Sequence, residues 1–157
     1  MGKLKSIRIR REPVELSDGQ SFDVRAASTN DLMMLVAEHG STLGILFARL
    51  QSGRSEPGSL STDMVRQLIF DLAREFPSIA AEVIALASDS YDAEGIAMAR
   101  DLPITVQVDA IEKVFRLTFA SEGEVKKFVE SLTRMLVGVS GALTNKAGLP
   151  SQNGIGD

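Results

Sequence analysis

The sequence predicts a mainly α fold of the α+β class: a multi-helix domain with an N-terminal β-hairpin. Three observations carry this. Period-two alternation of apolar and polar residues is confined to residues 6–26. Apolar residues at spacings of three and four run through most of the rest. The chain has 157 residues, a length that suits one domain whose core buries roughly two thirds of the unfolded surface. It contains no Cys, so that core must hold without disulfides, which fits a reducing compartment. The expected boundaries are one helical domain over residues 1–144 and a disordered tail over 145–157. That tail reads NKAGLPSQNGIGD, rich in Gly, Asn and Pro.

The hairpin comes first. Ile7, Ile9, Val14 and Leu16 alternate with polar neighbours, and Pro13 should mark an edge or a bulge. Asp18-Gly19 is a strong hairpin dipeptide, and Phe22, Val24 and Ala26 alternate on the return. A lone hairpin is marginal in water, so it must pack on helices or pair with another chain. Ser28 and Asp31 have the spacing of a capping box, with Asp replacing the usual Glu or Gln. A short helix should follow, with Leu32, Leu35, Val36 and His39 on one side and Gly40 as its stop. Ser41 then caps a second helix carrying Leu43, Leu46, Phe47 and Leu50. Residues 52–60, SGRSEPGSL, form a loop. Ser61 or Thr62 caps the next helix, which Pro77 ends while opening another through Ile79, Ala80, Val83, Ile84 and Ala87. Residues 88–92 are a polar break, and residues 93–102 a short helix leading to Pro103.

The largest amphipathic stretch is residues 102–139, read as two helices joined by a Ser-Glu-Gly turn, onto which the smaller elements pack. In the first, Ile104, Val108, Ile111, Phe115 and Phe119 form one row, and Val106, Ala110, Val114 and Leu117 a second. So wide an apolar arc implies burial on two sides. Gln107, Asp109, Glu112, Lys113 and Arg116 are assigned to the wet face, with Asp109 and Lys113 an i, i+4 ion pair. The last helix starts near Ser121 or Glu122. Its stripe runs through Val125, Phe128, Leu132, Met135, Leu136, Val139 and Leu143, and Gly138 and Gly141 weaken its end by roughly 1 kcal/mol each relative to Ala.

Little in the chain points to catalysis. The net charge of −4 argues against nucleic acid as a partner, and no apolar run is long enough to span a membrane. Lys126, Lys127 and Arg134 read as the wet face of the last helix. The single histidine, His39, lacks the neighbours that a triad or metal site needs and suits a capping or dipole role. Asp89, Asp92 and Glu94 lack the spacing of a calcium loop and read as a solvated turn. No Gly-rich phosphate loop follows a strand. The expectation is therefore a protein that is not an enzyme, with no cofactor and no metal. Of Met33, Met34, Met64, Met98 and Met135, most are assigned to the core. Met135 is the best candidate for an adaptable apolar groove.

The order of certain pieces is familiar. FDVRAAS, with Arg25, runs into NDLMMLVAEHG, ending on Glu38-His39-Gly40. Later come Leu102-Pro103, Gln107, Ala110-Ile111, Leu117-Thr118-Phe119 and Lys127-Phe128. Together, over roughly residues 22–139, these resemble the tail assembly chaperones of long-tailed bacteriophages and prophages. The chain departs from that pattern in having Ala26-Ala27 where members often carry Gly-Leu. Only Gly123 remains of the Gly-rich turn before the last helix.

The resemblance implies a non-enzymatic chaperone that binds the tape-measure protein, keeps it soluble and promotes tail-tube assembly. It implies tail-tube subunits and a frameshifted longer form of the chain as further partners, and it admits a homo-oligomer. The expected location is the host cytoplasm during assembly, with the protein absent from the mature virion. The alternative is a structural tail or head–tail connector component retained in the virion. Partner binding is assigned to Met135, Leu136, Val139 and Leu143, where the last apolar stripe outruns the chain available to cover it.

Overall fold

The structure, a computed structural model, describes residues 2–52 and 62–119, with Gly123, Glu124, Lys127, Phe128, Glu130, Ser131 and Arg134 beyond them. Among the described residues, strands β1 (Arg11–Glu15) and β2 (Ser21–Arg25) form an antiparallel hairpin. Helices α1 (Thr29–Ser52), α2 (Thr62–Glu75), α3 (Pro77–Ala87), α4 (Ala93–Asp101) and α5 (Ile104–Thr118) follow. The fold is mainly α with an N-terminal hairpin, as the sequence predicts.

The hairpin is shorter than expected. Glu12 pairs with Val24 and Val14 with Phe22, and Gly19, at φ +86°, makes the turn. The Asp18 side chain accepts from the Gln20 amide at 3.0 Å. Residues 7–10 are not strand, although they alternate. The reason is their partner. β2 ends at Arg25, opposite Arg11, and the chain then turns into α1, so among the described residues no strand lies opposite the earlier ones. The Leu16 amide bonds the Gln20 carbonyl. The antiparallel alternation from there puts Pro13 in a non-hydrogen-bonded pair, where its missing N–H costs nothing.

The capping box forms as read. The Ser28 amide donates to Asp31 Oδ2 at 2.8 Å, and the Asp31 amide to Ser28 Oγ at 3.1 Å. The two helices expected after it meet within α1 at a kink, where His39 (φ −126°, ψ 24°) leaves the helical conformation. The break falls at His39 rather than on a left-handed glycine: among the described glycines Gly19 alone has positive φ.

Among the described residues the core centres on α3; of the 102–139 stretch, α5 is described and most of the remainder lies outside the described residues. Helix α3 packs against α1, α2, α4, α5 and β2. Its sequence, PSIAAEVIALA, is apolar all round, which demands burial on every side, and its alanines admit close neighbours. Ala80, Ala81 and Ile84 meet Val14 and Val24, both 0 % exposed, and Ala110, Ile111 and Val114. The α5 face differs from the reading above in two places. Ile104 is exposed, and Gln107 is buried. Gln107 Nε2 donates to the carbonyls of Ala99, at 2.9 Å, and Arg100, at 3.1 Å. Those α4 carbonyls have no helical donor left to them, so a polar side chain on the inner face of α5 is what the packing requires. Asp109 and Lys113 pair at 2.8 Å, and Lys113 also reaches the Pro13 carbonyl. Among the described residues no helix is long and apolar enough to cross a membrane.

Candidate functional site

Met135, Leu136, Val139 and Leu143, the residues assigned to partner binding from sequence, lie outside the described residues. A different surface emerges where β2 faces the C-terminal half of α3 and α4. It is an open groove of about 520 Å³. Its floor includes Phe22, Ile84, Met98 and Leu102, and its rim carries Asp23, Asp92 and Glu94. Leu16 and Gln20 line it at the hairpin turn and Arg11 at the other end of the strands. Met98, one of five methionines of which the sequence assigns most to the core, is 64 % exposed. Met33 is also exposed. Methionine on an open apolar floor adapts to irregular partners.

Three contacts fix the walls. The first is Arg25, at the end of β2. It donates to Asp31 at 2.7 Å, to Asp89 at 2.9 Å and to the Leu86 and Ala26 carbonyls, each at 2.9 Å. It thereby ties the hairpin to the start of α1 and the end of α3. Burial works against the Asp31 charge, but hydrogen bonds from Arg25 and Ser28 outweigh it and hold that carboxyl below its ordinary range. Asp89, at φ +56°, also receives Arg11, whose hydrogen bond is the main reason that its carboxyl is held low. The second contact is Gly95. A Cβ there would lie 1.8 Å from the Ser90 carbonyl oxygen, so only glycine lets α4 start so close to residues 88–92. Asp92 caps α4, accepting from the Gly95 amide at 2.7 Å. The third is Thr118. It accepts from the Ala27 amide at 3.0 Å and donates to the Val114 carbonyl at 2.6 Å, which fixes the turn after β2 to α5. Asp89, Asp92 and Glu94 thus serve a structured turn and its rim.

His39 has partners that the sequence did not reveal. Its Nε2 lies 2.8 Å from Glu82 Oε2. Glu38, His39 and Glu82 offer ligand atoms within 4.8 Å of one another, the one such grouping among the described residues with the donors to hold a metal ion. Adjacent residues on a regular helix point about 100° apart; the bend at His39 is what turns both toward α3. Glu38 also takes the Tyr91 hydroxyl at 3.1 Å. These contacts join the bend in α1 to α3 and the turn after it. His39 sits at the kink that ends the first helical segment of α1, and its ring is engaged by Glu82.

The model of the pre-tape measure protein family matches residues 1–153. The chain belongs to that family. Pre-tape measure proteins are related to phage tail assembly, in agreement with the resemblance drawn from Arg25, Gln107 and their neighbours. No curated protein and no solved structure matches the chain. Within this pre-tape measure protein the signature residues are structural. Arg25 and Gln107 satisfy helix ends and carboxylates, and Thr118 anchors the turn after β2. They build the groove without lining it.

Proposed function

We propose that this protein is a tail assembly chaperone that binds a segment of the tape-measure protein in the groove between β2 and α3–α4. Its work is binding, without covalent chemistry: it shields apolar stretches of a long client, keeps the client soluble and releases it as tail-tube subunits polymerise. It acts in the host cytoplasm and leaves before the particle is complete. A frameshifted longer form would present the same groove with an added C-terminal segment. The observation that carries this reading is the exposed Met98 on the apolar floor of a groove, in a chain of the pre-tape measure family. Apolar side chains set among polar and charged ones, as here, give a partner site both its affinity and its register.

Co-expression with the tape-measure protein tests it. The wild-type chain should keep the client in the soluble fraction and co-purify with it. Met98→Asp should leave the circular dichroism spectrum unchanged and reduce co-purification at least tenfold. Undiminished co-purification would place the client elsewhere. Finding the protein in purified virions in stoichiometric amounts would replace the chaperone by a structural tail component.

A further inference from the structure

The N-terminal arm, residues 3–10, is basic and apolar: a 3-10 turn over Lys3–Ser6 leads into an extended stretch, residues 7–10, in which Ile and Arg alternate. Lys3, Lys5, Arg8 and Arg10 are interleaved with Leu4, Ile7 and Ile9, and no acidic residue precedes Glu12. Ile7 is 64 % and Ile9 63 % exposed. Ile7 has extended backbone angles, and residues 7–10 have strand patterning but no strand opposite them. The groove is the complement. On β2, Ser21 and Asp23 occupy the non-hydrogen-bonded pairs with Glu15 and Pro13, so their N–H and C=O groups point to the outer edge. Phe22 lies on the groove floor, and the rim is acidic at Asp23, Asp92 and Glu94. An open strand edge beside an apolar channel is the form taken by sites that add an extended segment as a further strand.

We propose that the arm of one copy docks along the outer edge of β2 in a second copy, with Ile7 and Ile9 over the floor and the basic residues against the acidic rim. The arm does not serve its own groove. Ile9 and Arg10 lie beside Ala26, Arg116 and Leu117, on the α5 side of the hairpin, whereas the groove is on the α3–α4 side. Arm and groove are different surfaces, so each copy can give its arm and receive another, either reciprocally in a closed pair or onward in a ring or open chain. It goes beyond the client reading and depends only on the groove being open. A tape-measure segment and the arm would compete for it.

Sedimentation velocity of the full chain, without client, tests the proposal. The wild-type protein should associate with rising concentration, less so at high salt. Arg8→Glu with Arg10→Glu should be monomeric, because an acidic arm meets an acidic rim. Asp23→Lys with Glu94→Lys should also be monomeric, because a basic arm meets a basic rim. Mixed in equal amounts, the two should associate again, since each arm then finds an opposite groove in the other variant. As a measure independent of the groove variant's folding, a labelled peptide of residues 2–10 should bind the arm-reversed chain, and unlabelled wild-type chain should compete. A wild-type protein that stays monomeric, a mixture that does not associate, or a peptide that does not bind would each overturn the proposal. None of these results touches the client reading, which Met98→Asp tests with the arm intact.

Discussion

The two ends of β2 are built for opposite purposes. At its C-terminal end, Arg25 is nearly enclosed and meets two carboxylates and two backbone carbonyls. At its N-terminal end, Ser21 and Asp23 are exposed and border a groove whose floor is apolar. One end gives its guanidinium four acceptors; the other leaves strand edge and apolar surface open. A two-stranded hairpin has little stability of its own, so the closed end, with Val14 and Val24 in the core, is what permits the open end to stay unpaired.

Substitutions that separate the two ends sharpen this contrast. The largest effect is expected at the closed end. Arg25→Ala strands Asp31 in a partly buried site and takes one donor from the Leu86 carbonyl, which keeps the Asp89 amide; the loss should cost about 3–5 kcal/mol, read as a lower urea midpoint. The same junction sets the response to acid. The folded Asp31 titrates below its ordinary value of 3.8. The stability it lends is therefore complete above that value and is lost as pH falls through the lower, folded one. Asp31→Asn should flatten the acid limb of the stability–pH curve and lower the plateau at neutral pH. An unchanged acid limb would assign acid unfolding to other groups.

Gly95→Ala comes next. Its Cβ meets backbone, not a movable side chain, so α4 must shift, at about 2–3 kcal/mol. Because α4 is a groove wall, client binding should weaken as well, a double effect that Arg25→Ala shares only through stability. Gln107→Leu keeps volume but leaves two carbonyls undonated, at about 1–2 kcal/mol by thermal or urea melt. At the open end Asp23→Ala should change stability by no more than about 0.5 kcal/mol. A larger loss there would mean that the edge carries structural weight and would erase the contrast.

What the sequence revealed was local. The Asp18-Gly19 turn, the Ser28–Asp31 box, the Pro77 junction and the Asp109–Lys113 pair each depend on residues a few positions apart, and each formed. What it hid was set at a distance. The start of β1 is fixed by where β2 ends. Gln107 looked wet because its partners, the α4 carbonyls, belong to another helix, and His39 looked solitary because Glu82 lies 43 residues away. The groove joins Phe22 to Met98, and no spacing rule links them. The family resemblance drew on Arg25, Gln107 and Thr118. Their chemistry proved to be that of a scaffold, which is why the resemblance located the family and not the site.

The most direct test of the groove as the client site is a photo-cross-link. A benzoyl-phenylalanine replacing Met98, and in a separate chain one replacing the half-exposed Met33 on α1, would be co-expressed with the tape-measure protein and irradiated. The account predicts a cross-link to the tape-measure protein from position 98 and none from position 33. A cross-link from 33 alone, or none from 98 in a complex that still co-purifies, would contradict it.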